Sequence, residues 1–200
     1  ELLKLMRSAG CANIYYGVES GDDRMLRVMN KKAALEDVRE AFRRTREAGI
    51  KPEASFLLGV PGETEESAEN TIRFSLEIKP FVATFHVFLP YPGIPLESLM
   101  KKEDAQPLDD WDVYQLRVGK SYCDILPERL EALSKKAYRR FYLRPSKTME
   151  LMLCALREPA MRGYIFQIIA GKREGSWLRK MLMGRRRLGK DPGAKRRENR

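Results

Sequence analysis

Glu19 closes a short run of β-branched and aromatic residues, 13–18, and gives way to the flexible Ser20-Gly21 and the acidic pair Asp22-Asp23. A carboxylate presented where a buried strand ends sits at the usual place for chemistry in α/β folds. Two further strand endings follow. The run 51–58 stops at Gly59-Val60-Pro61-Gly62-Glu63-Thr64, where Pro61 ends the strand and the glycines let backbone approach a ligand closely. The run 82–89 stops at Pro90-Tyr91-Pro92-Gly93-Ile94-Pro95, a stiff, turn-rich segment. Metal chemistry has no such foothold. Cys11, Cys123 and Cys154 lie far apart, none with C-x-x-C or C-x-x-x-C spacing, and His86 is the single histidine. By itself the chain cannot assemble a cysteine-ligated metal site.

These residues need strands and helices to hold them. The run 13–18 reads as a strand buried on both faces. Asp22-Asp23 suits a helix start, where backbone N–H groups lack partners, and Met25, Leu26, Val28 and Met29 make that helix apolar on one side. Upstream, Leu2, Leu3, Leu5 and Met6 fall at near-helical spacing before the stop at Gly10. Residues 35–48 form an amphipathic helix with Leu35, Val38, Phe42 and Thr45 along one face, although Lys32-Ala33-Ala34 offers it no good N-cap. Thr64 caps a helix that reaches Ile78, with Glu65 and Glu66 in its first turn and Pro80 beyond its end. Equivalent points recur about every thirty to forty residues, the spacing of βα units in a parallel sheet. Three strands alone make a poor core, and they fit better as half of a barrel or of an open α/β sheet. After residue 100 the character changes. Residues 101–127 are polar and irregular, with Asp109, Asp110 and Asp112 around Trp111. Helices are expected from Glu128 through Leu130, Leu133, Ala137 and Tyr138, then over 149–169 with a break at Pro159, and last over 177–183.

The 200 residues suffice for one sizeable core plus an extension, and 43% hydrophobic with 33% charged residues describes a soluble globular chain. No run approaches the ~18 consecutive apolar residues of a membrane span. The first residue is Glu1 rather than Met, so the sequence is expected to be a piece of a longer chain. Twelve Lys and Arg against Glu174, Asp191 and Glu198 give residues 172–200 a net +9 of the total +10. The basicity therefore belongs to the tail and not to the domain. Three scattered cysteines make no disulfide framework and suit a reducing cytoplasm.

Three segments, GVESGDDRMLRVMNK at 17–31, SFLLGVPGET at 55–64 and FLPYPGIPLE at 88–97, resemble the second half of a radical S-adenosylmethionine domain. The likeness is closest to the group whose members carry an N-terminal cobalamin-binding domain. It covers the core over residues 1–99 and continues through DDW at 109–111 and RRFYLRP at 139–145. The resemblance implies an α/β fold: the C-terminal half of a partial (β/α)6, TIM-like barrel with a helical C-terminal extension. Residues 1–100 would be the partial barrel, 101–183 a linker and helical extension, and 184–200 a basic, disordered tail. In that family a C-x-x-x-C-x-x-C motif holds a [4Fe–4S] cluster whose open iron binds S-adenosylmethionine and delivers the electron that yields a 5′-deoxyadenosyl radical. That motif is absent here. The resemblance thus implies part of an iron–sulfur enzyme, radical methylation or rearrangement of an unknown substrate, cobalamin as a further cofactor, and a reducing partner such as a flavodoxin or ferredoxin. The 200 residues alone are expected to be inactive and to bind neither iron nor S-adenosylmethionine tightly.

By position, Glu19 matches the family's residue on the cofactor's ribose and Lys31 a basic residue near its carboxylate. Ser55 and Leu57 match positions beside the ribose and adenine, and Val87 an adenine neighbour on the last strand. The chemistry agrees, since ribose hydroxyls want an acceptor, a carboxylate wants a cation, and adenine wants flat apolar neighbours. Each residue also has a plainer role open to it. Glu19 can accept from the amides of 21–23, Lys31 can be a solvated charge, and Ser55, Leu57 and Val87 can be core fillers. His86 falls in an apolar run and is expected to be a buried structural histidine. An alternative from another class is a non-catalytic module that binds nucleic acid through the basic tail, with an affinity that falls steeply with salt.

Overall fold

The structure, a computed structural model, describes residues 1–90, 121–157 and 162–163. The chain divides into two compact units, Glu1–Glu150 and Leu151–Arg200. In the first, α1 (Leu2–Ser8) leads to β1 (Asn13–Glu19), α2 (Asp23–Val28), α3 (Leu35–Glu47), β2 (Lys51–Leu58), α4 (Glu65–Ile78), β3 (Val82–Val87) and α5 (Pro127–Tyr142). A further helix, α6, spans Pro145–Arg157. The three strands form one parallel sheet in the order β1-β2-β3, so the fold is α/β. In the second unit, Arg162 donates to the carbonyl of Ala155 at 2.6 Å. The acidic cluster around Trp111, the helix expected over 177–183 and the basic tail lie outside the described residues.

Local chemistry explains the boundaries. Asp22 caps α2, its Oδ1 accepting from the amides of Arg24 and Met25, a cap worth about 1 kcal/mol. Thr64 caps α4 reciprocally with Ser67: Ser67 N–H donates to Thr64 Oγ1 at 3.2 Å and Thr64 N–H to Ser67 Oγ at 3.0 Å. At α3 the cap side chain is missing, as Ala34 requires, and Asp37 compensates by accepting from the Ala34 amide at 2.8 Å. Three helix ends share one device. At Gly10, Asn30 and Gly49, all at positive φ, the next residue's N–H reaches back five positions to a helix carbonyl. The device after α2 sets the place of Lys31.

Helices cover one face of the sheet. There Phe56 and Phe85 stack at 5.2 Å, and Tyr138 of α5 meets Phe85 edge-on at 5.3 Å. Tyr16 packs on Phe42 of α3 and places its hydroxyl 2.6 Å from Thr45 Oγ1. β1 is not buried on both faces, as its composition suggested. It lies at the end of the strand order, and its Tyr15 is 55% exposed. β3 ends at Val87 rather than 89, and α6 begins at Pro145, four residues before the expected start, because proline is well placed in a first helical turn.

The edge of β3 away from β2 is closed by two tyrosines. Tyr142 accepts from the Ala83 N–H at 3.2 Å and donates to its carbonyl at 2.9 Å. Tyr138 accepts from the Phe85 N–H at 3.1 Å and reaches the Phe85 carbonyl at 3.4 Å. The spacings match: four helical residues rise about 6 Å, and two strand residues about 6.6 Å. A helix lying along the edge thus replaces a neighbouring strand. Tyr142→Phe strips both groups of Ala83 of this partner and is expected to cost about 1–2 kcal/mol in urea unfolding. An unchanged midpoint would show that this edge needs no closing. At the other end of β3, buried Lys147 donates to the carbonyls of Pro80 (2.8 Å) and Phe81 (3.3 Å) and pairs with Glu150. Burial pulls its ammonium below the usual lysine range.

Candidate functional site

The strands run parallel, so Glu19, Leu58 and Val87 mark one end of the sheet, where ligands of such sheets bind. Alternation sends Ser55 and Leu57 to the face opposite Ala54, Phe56 and Leu58. In register, Thr84 stands beside Ser55 and His86 beside Leu57. Tyr15 reaches across β2 to bring its hydroxyl within 2.7 Å of Thr84 Oγ1. Ser55, Leu57, Thr84 and His86 are all half-buried, whereas the helix-covered face is closed.

Glu19 takes an unusual backbone conformation. Pairing slips between Gly17, opposite Ser55, and Glu19, opposite Phe56. Ser20 N–H then donates back to the Val18 carbonyl at 2.9 Å, around Glu19 at φ 68. This is a γ-turn centred on a residue with a side chain, which costs about 1–3 kcal/mol. The fold holds it from the far side. Ser20 Oγ lies 3.1 Å from Thr71 Oγ1 of α4, Gly21 N–H donates to the same oxygen at 3.0 Å, and Asp22 N–H donates to Ser20 Oγ at 3.2 Å. The turn folds the Glu19 carboxylate back over Gly17, into the space a side chain there would fill.

Lys31 arrives at the same point from α2. Asn30, at φ 53, donates to the Arg27 carbonyl and Lys31 N–H to the Leu26 carbonyl, both at 2.9 Å, which turns the chain back toward β1. The ammonium donates to the Gly17 carbonyl at 2.9 Å and stands 3.6 Å from Glu19 Oε1. The Glu19 side chain is 19% exposed and that of Lys31 40%, so the pair is fixed yet open to a ligand. The Gly21 and Asp22 amides go to Thr71 and Ser20 and not to Glu19, and Lys31 is engaged with Gly17 and Glu19. Leu57 borders a small apolar cluster of Met25, Val60 and Phe88, with Val28, Met29 and Tyr122 around it.

Acceptor, cation, hydroxyls and apolar wall therefore share one end of one face. They suit a ligand that carries hydroxyls, a carboxylate and a flat ring. Glu19, Lys31, Ser55 and Leu57 are brought together. Val87 is not, because it pairs with Leu58 and falls out of step with Leu57. The β3 residue beside Leu57 on that face is His86, which is half-buried and not part of the closed core.

Glu63 was not singled out by its place in a loop, yet it is 1% exposed. Its carboxylate accepts from the Gly59 N–H and draws on the Val60 amide, tying together the loop that follows β2. Burial pushes its pKa up to about 7, Asp22 adds to the rise, and the two amides and Arg24 oppose it. The signal in the sequence was a carboxylate between Gly62 and the cap Thr64. Nearby, burial also raises the Cys123 thiol.

A [4Fe–4S] cluster does not fit the residues at hand. Cys11 follows α1, Cys123 precedes α5 and Cys154 lies in α6. Among the described residues no three His, Cys, Asp or Glu side chains gather as metal ligands, and no helix is long and apolar enough to cross a membrane.

Comparison with known proteins gives the family. Residues 1–75 match the family model described as the Radical SAM superfamily. An uncharacterized methyltransferase of Pyrococcus horikoshii is 30% identical over 146 residues, covering 72% of this chain and 32% of that protein. An anaerobic magnesium-protoporphyrin IX monomethyl ester cyclase of Cereibacter sphaeroides is 33% identical over 146 residues, 72% of this chain and 23% of that protein. The chain thus spans about a quarter to a third of these curated relatives. Among solved structures, coproporphyrinogen III oxidase of Escherichia coli, described as a radical SAM enzyme, shares the fold with a TM-score of 0.51 at 17% identity, over 71% of this chain and 29% of that one. With the sequence motifs, the parallel sheet and these matches in agreement, the chain belongs to the radical SAM superfamily.

Proposed function

We propose that this chain supplies the ribose, adenine and carboxylate side of the S-adenosylmethionine site in a longer radical SAM enzyme. The observation that carries the reading is the Glu19–Lys31 pair, held over Gly17 at the ligand-binding end of the sheet. Glu19 accepts from the ribose hydroxyls, Lys31 neutralises the α-carboxylate, and Ser55 and Leu57 line the ribose and ring. The strain at Glu19 supports a functional role, because a left-handed glutamate persists only where its surroundings impose it.

The cluster belongs to cysteines outside this chain, and with S-adenosylmethionine it supplies the radical chemistry when bound. The three-stranded sheet is in this reading the second half of a partial barrel, closed along β3 by α5. The overall reaction is a radical methylation or rearrangement, with cobalamin as a further cofactor and a flavodoxin or ferredoxin as reductant in a cytoplasmic setting. The names of the relatives, a methyltransferase and an ester cyclase, favour that class of reaction.

S-adenosylhomocysteine, which keeps the nucleoside and carboxylate, is the direct probe. Calorimetry or ligand-detected resonance is expected to show weak, saturable binding to the chain. Lys31→Met should weaken it about tenfold or more through loss of a charged hydrogen bond. Equal affinity of the Lys31 variant would overturn the assignment.

A further inference from the structure

We propose that α6 and the basic segment after it attach to an anionic lipid surface, with apolar side chains at the headgroup level and cations among the phosphates. Helical geometry is the first observation. Met149, Met152, Leu153 and Leu156 stand at positions i, i+3, i+4 and i+7 of α6 and are 41% to 68% exposed. At 3.6 residues per turn they share a stripe about 100° wide. Lys147, Leu151 and Cys154, all buried, lie on the opposite side of the same helix. A helix with one buried face is expected to turn polar residues to the other. This one turns out methionine and leucine instead.

Charge indicates what covers the stripe. Arg157 and Arg162 are both exposed at its C-terminal end. Arg162 donates to the carbonyls of Ala155 at 2.6 Å and Leu156 at 3.3 Å, which holds a cation at the last turn of α6. The only acid of α6, Glu150, is paired with Lys147. Beyond them the sequence carries the net +9 of residues 172–200 and sets Trp177, Leu178, Met181 and Leu182 among its cations. Apolar contact and polybasic attraction are the two signals that together hold a protein on a bilayer surface. A nucleic acid would engage the cations but offers no counterpart to a row of aliphatic side chains. Base stacking also needs more aromatic residues than Trp177, the one that segment holds. Pairing of two copies through the stripe would bring two strongly basic segments together, which repulsion opposes.

Flotation of the 200-residue chain with unilamellar vesicles is the test. The chain is expected to float with mixed phosphatidylglycerol and phosphatidylcholine vesicles, to stay behind with phosphatidylcholine alone, and to be released as salt is raised. Removing residues 172–200 should weaken binding about tenfold or more. Met152→Gln combined with Leu156→Gln should weaken it by a similar factor while the chain melts like wild type, since both positions are exposed. Leu156→Gln alone, at the most exposed position of the stripe, should weaken binding about fivefold and decides the matter where the double variant melts early. Absence of flotation with the anionic vesicles would overturn the proposal, whether the chain instead shifts a labelled RNA or sediments as a dimer. Unchanged flotation of the stripe variants would overturn it too. With a normal melt the basic segment would then act alone, and with an early melt the stripe would belong to packing within the chain. Neither result touches the nucleoside site.

Discussion

The stability of this chain is expected to fall by up to about 3 kcal/mol as the pH rises from about 5 to about 8, and Glu63→Gln should remove that fall. The ordinary glutamate value of 4.5 is raised to about 7 in the fold, chiefly by burial. Between those values the folded chain keeps a proton that the unfolded chain has released. Stability from this group is therefore full below the unfolded value and is lost as the pH climbs through the folded one. At about 1.4 kcal/mol per pH unit the interval amounts to about 3 kcal/mol. The carboxylate is almost wholly enclosed, so solvent screening takes little from that figure. Asp22 from the start of α2 works in the same direction, while Arg24 and the Gly59 and Val60 amides oppose it. Arg24 also donates to the Gly62 carbonyl at 3.0 Å, so the loop is tied from outside as well as from within. Urea unfolding at a series of pH values, for wild type and Glu63→Gln, isolates the contribution as the difference between the two curves. Parallel curves would show that Glu63 keeps its charge in the fold.

That glutamate also marks what the sequence did not reveal. Boundaries were legible because their signals are local. Asp22 and Thr64 cap with their own side chains, Gly49 turns the chain out of α3, and β2 falls on the expected residues. The placing of the candidate residues was legible in part. Glu19, Lys31, Ser55 and Leu57 come to one end of one face, and the resemblance had already singled them out. What failed depends on partners distant in sequence. A run such as 13–18 is apolar enough to be buried on both faces, but its position at the end of the strand order leaves Tyr15 exposed. That Val87 keeps step with Leu58 and not with Leu57 is a matter of phase, and phase is set by pairing with β2. Glu63 looks like any loop carboxylate until Gly59 and Val60 turn their amides toward it. The γ-turn at Glu19 is equally hidden, since it exists only because α4 grips Ser20 and Gly21 through Thr71.

That grip sets the second expectation, a contrast between two glycines four residues apart. Gly21→Ala should destabilise the chain by about 3 kcal/mol, lowering its melting temperature by roughly 6–12 °C. A methyl group at Gly21 would lie 2.5 Å from Phe74 Cβ, 2.8 Å from the Asn70 carbonyl oxygen and 2.8 Å from Thr71 Cα. Two of these atoms are helix backbone and the third is fixed to it, so none can swing aside. The turn would have to lift off α4, giving up the bonds of Ser20 and Gly21 to Thr71. At Gly17 the added methyl meets Glu19 Oε1 and, at 3.4 Å, Lys31 Nζ. Both are ends of flexible side chains, and the backbone there has no positive φ, so Gly17→Ala should cost about 1 kcal/mol or less. It should nevertheless displace the carboxylate and ammonium from their common place. Thermal melts and S-adenosylhomocysteine titrations of the two variants separate these effects. Gly21→Ala is expected to fail in the melt. Gly17→Ala is expected to melt like wild type and bind about tenfold or more weakly. A Gly17→Ala chain that binds normally would mean the ligand does not need Glu19 over Gly17, and the strain at that turn would then lack the purpose assigned to it.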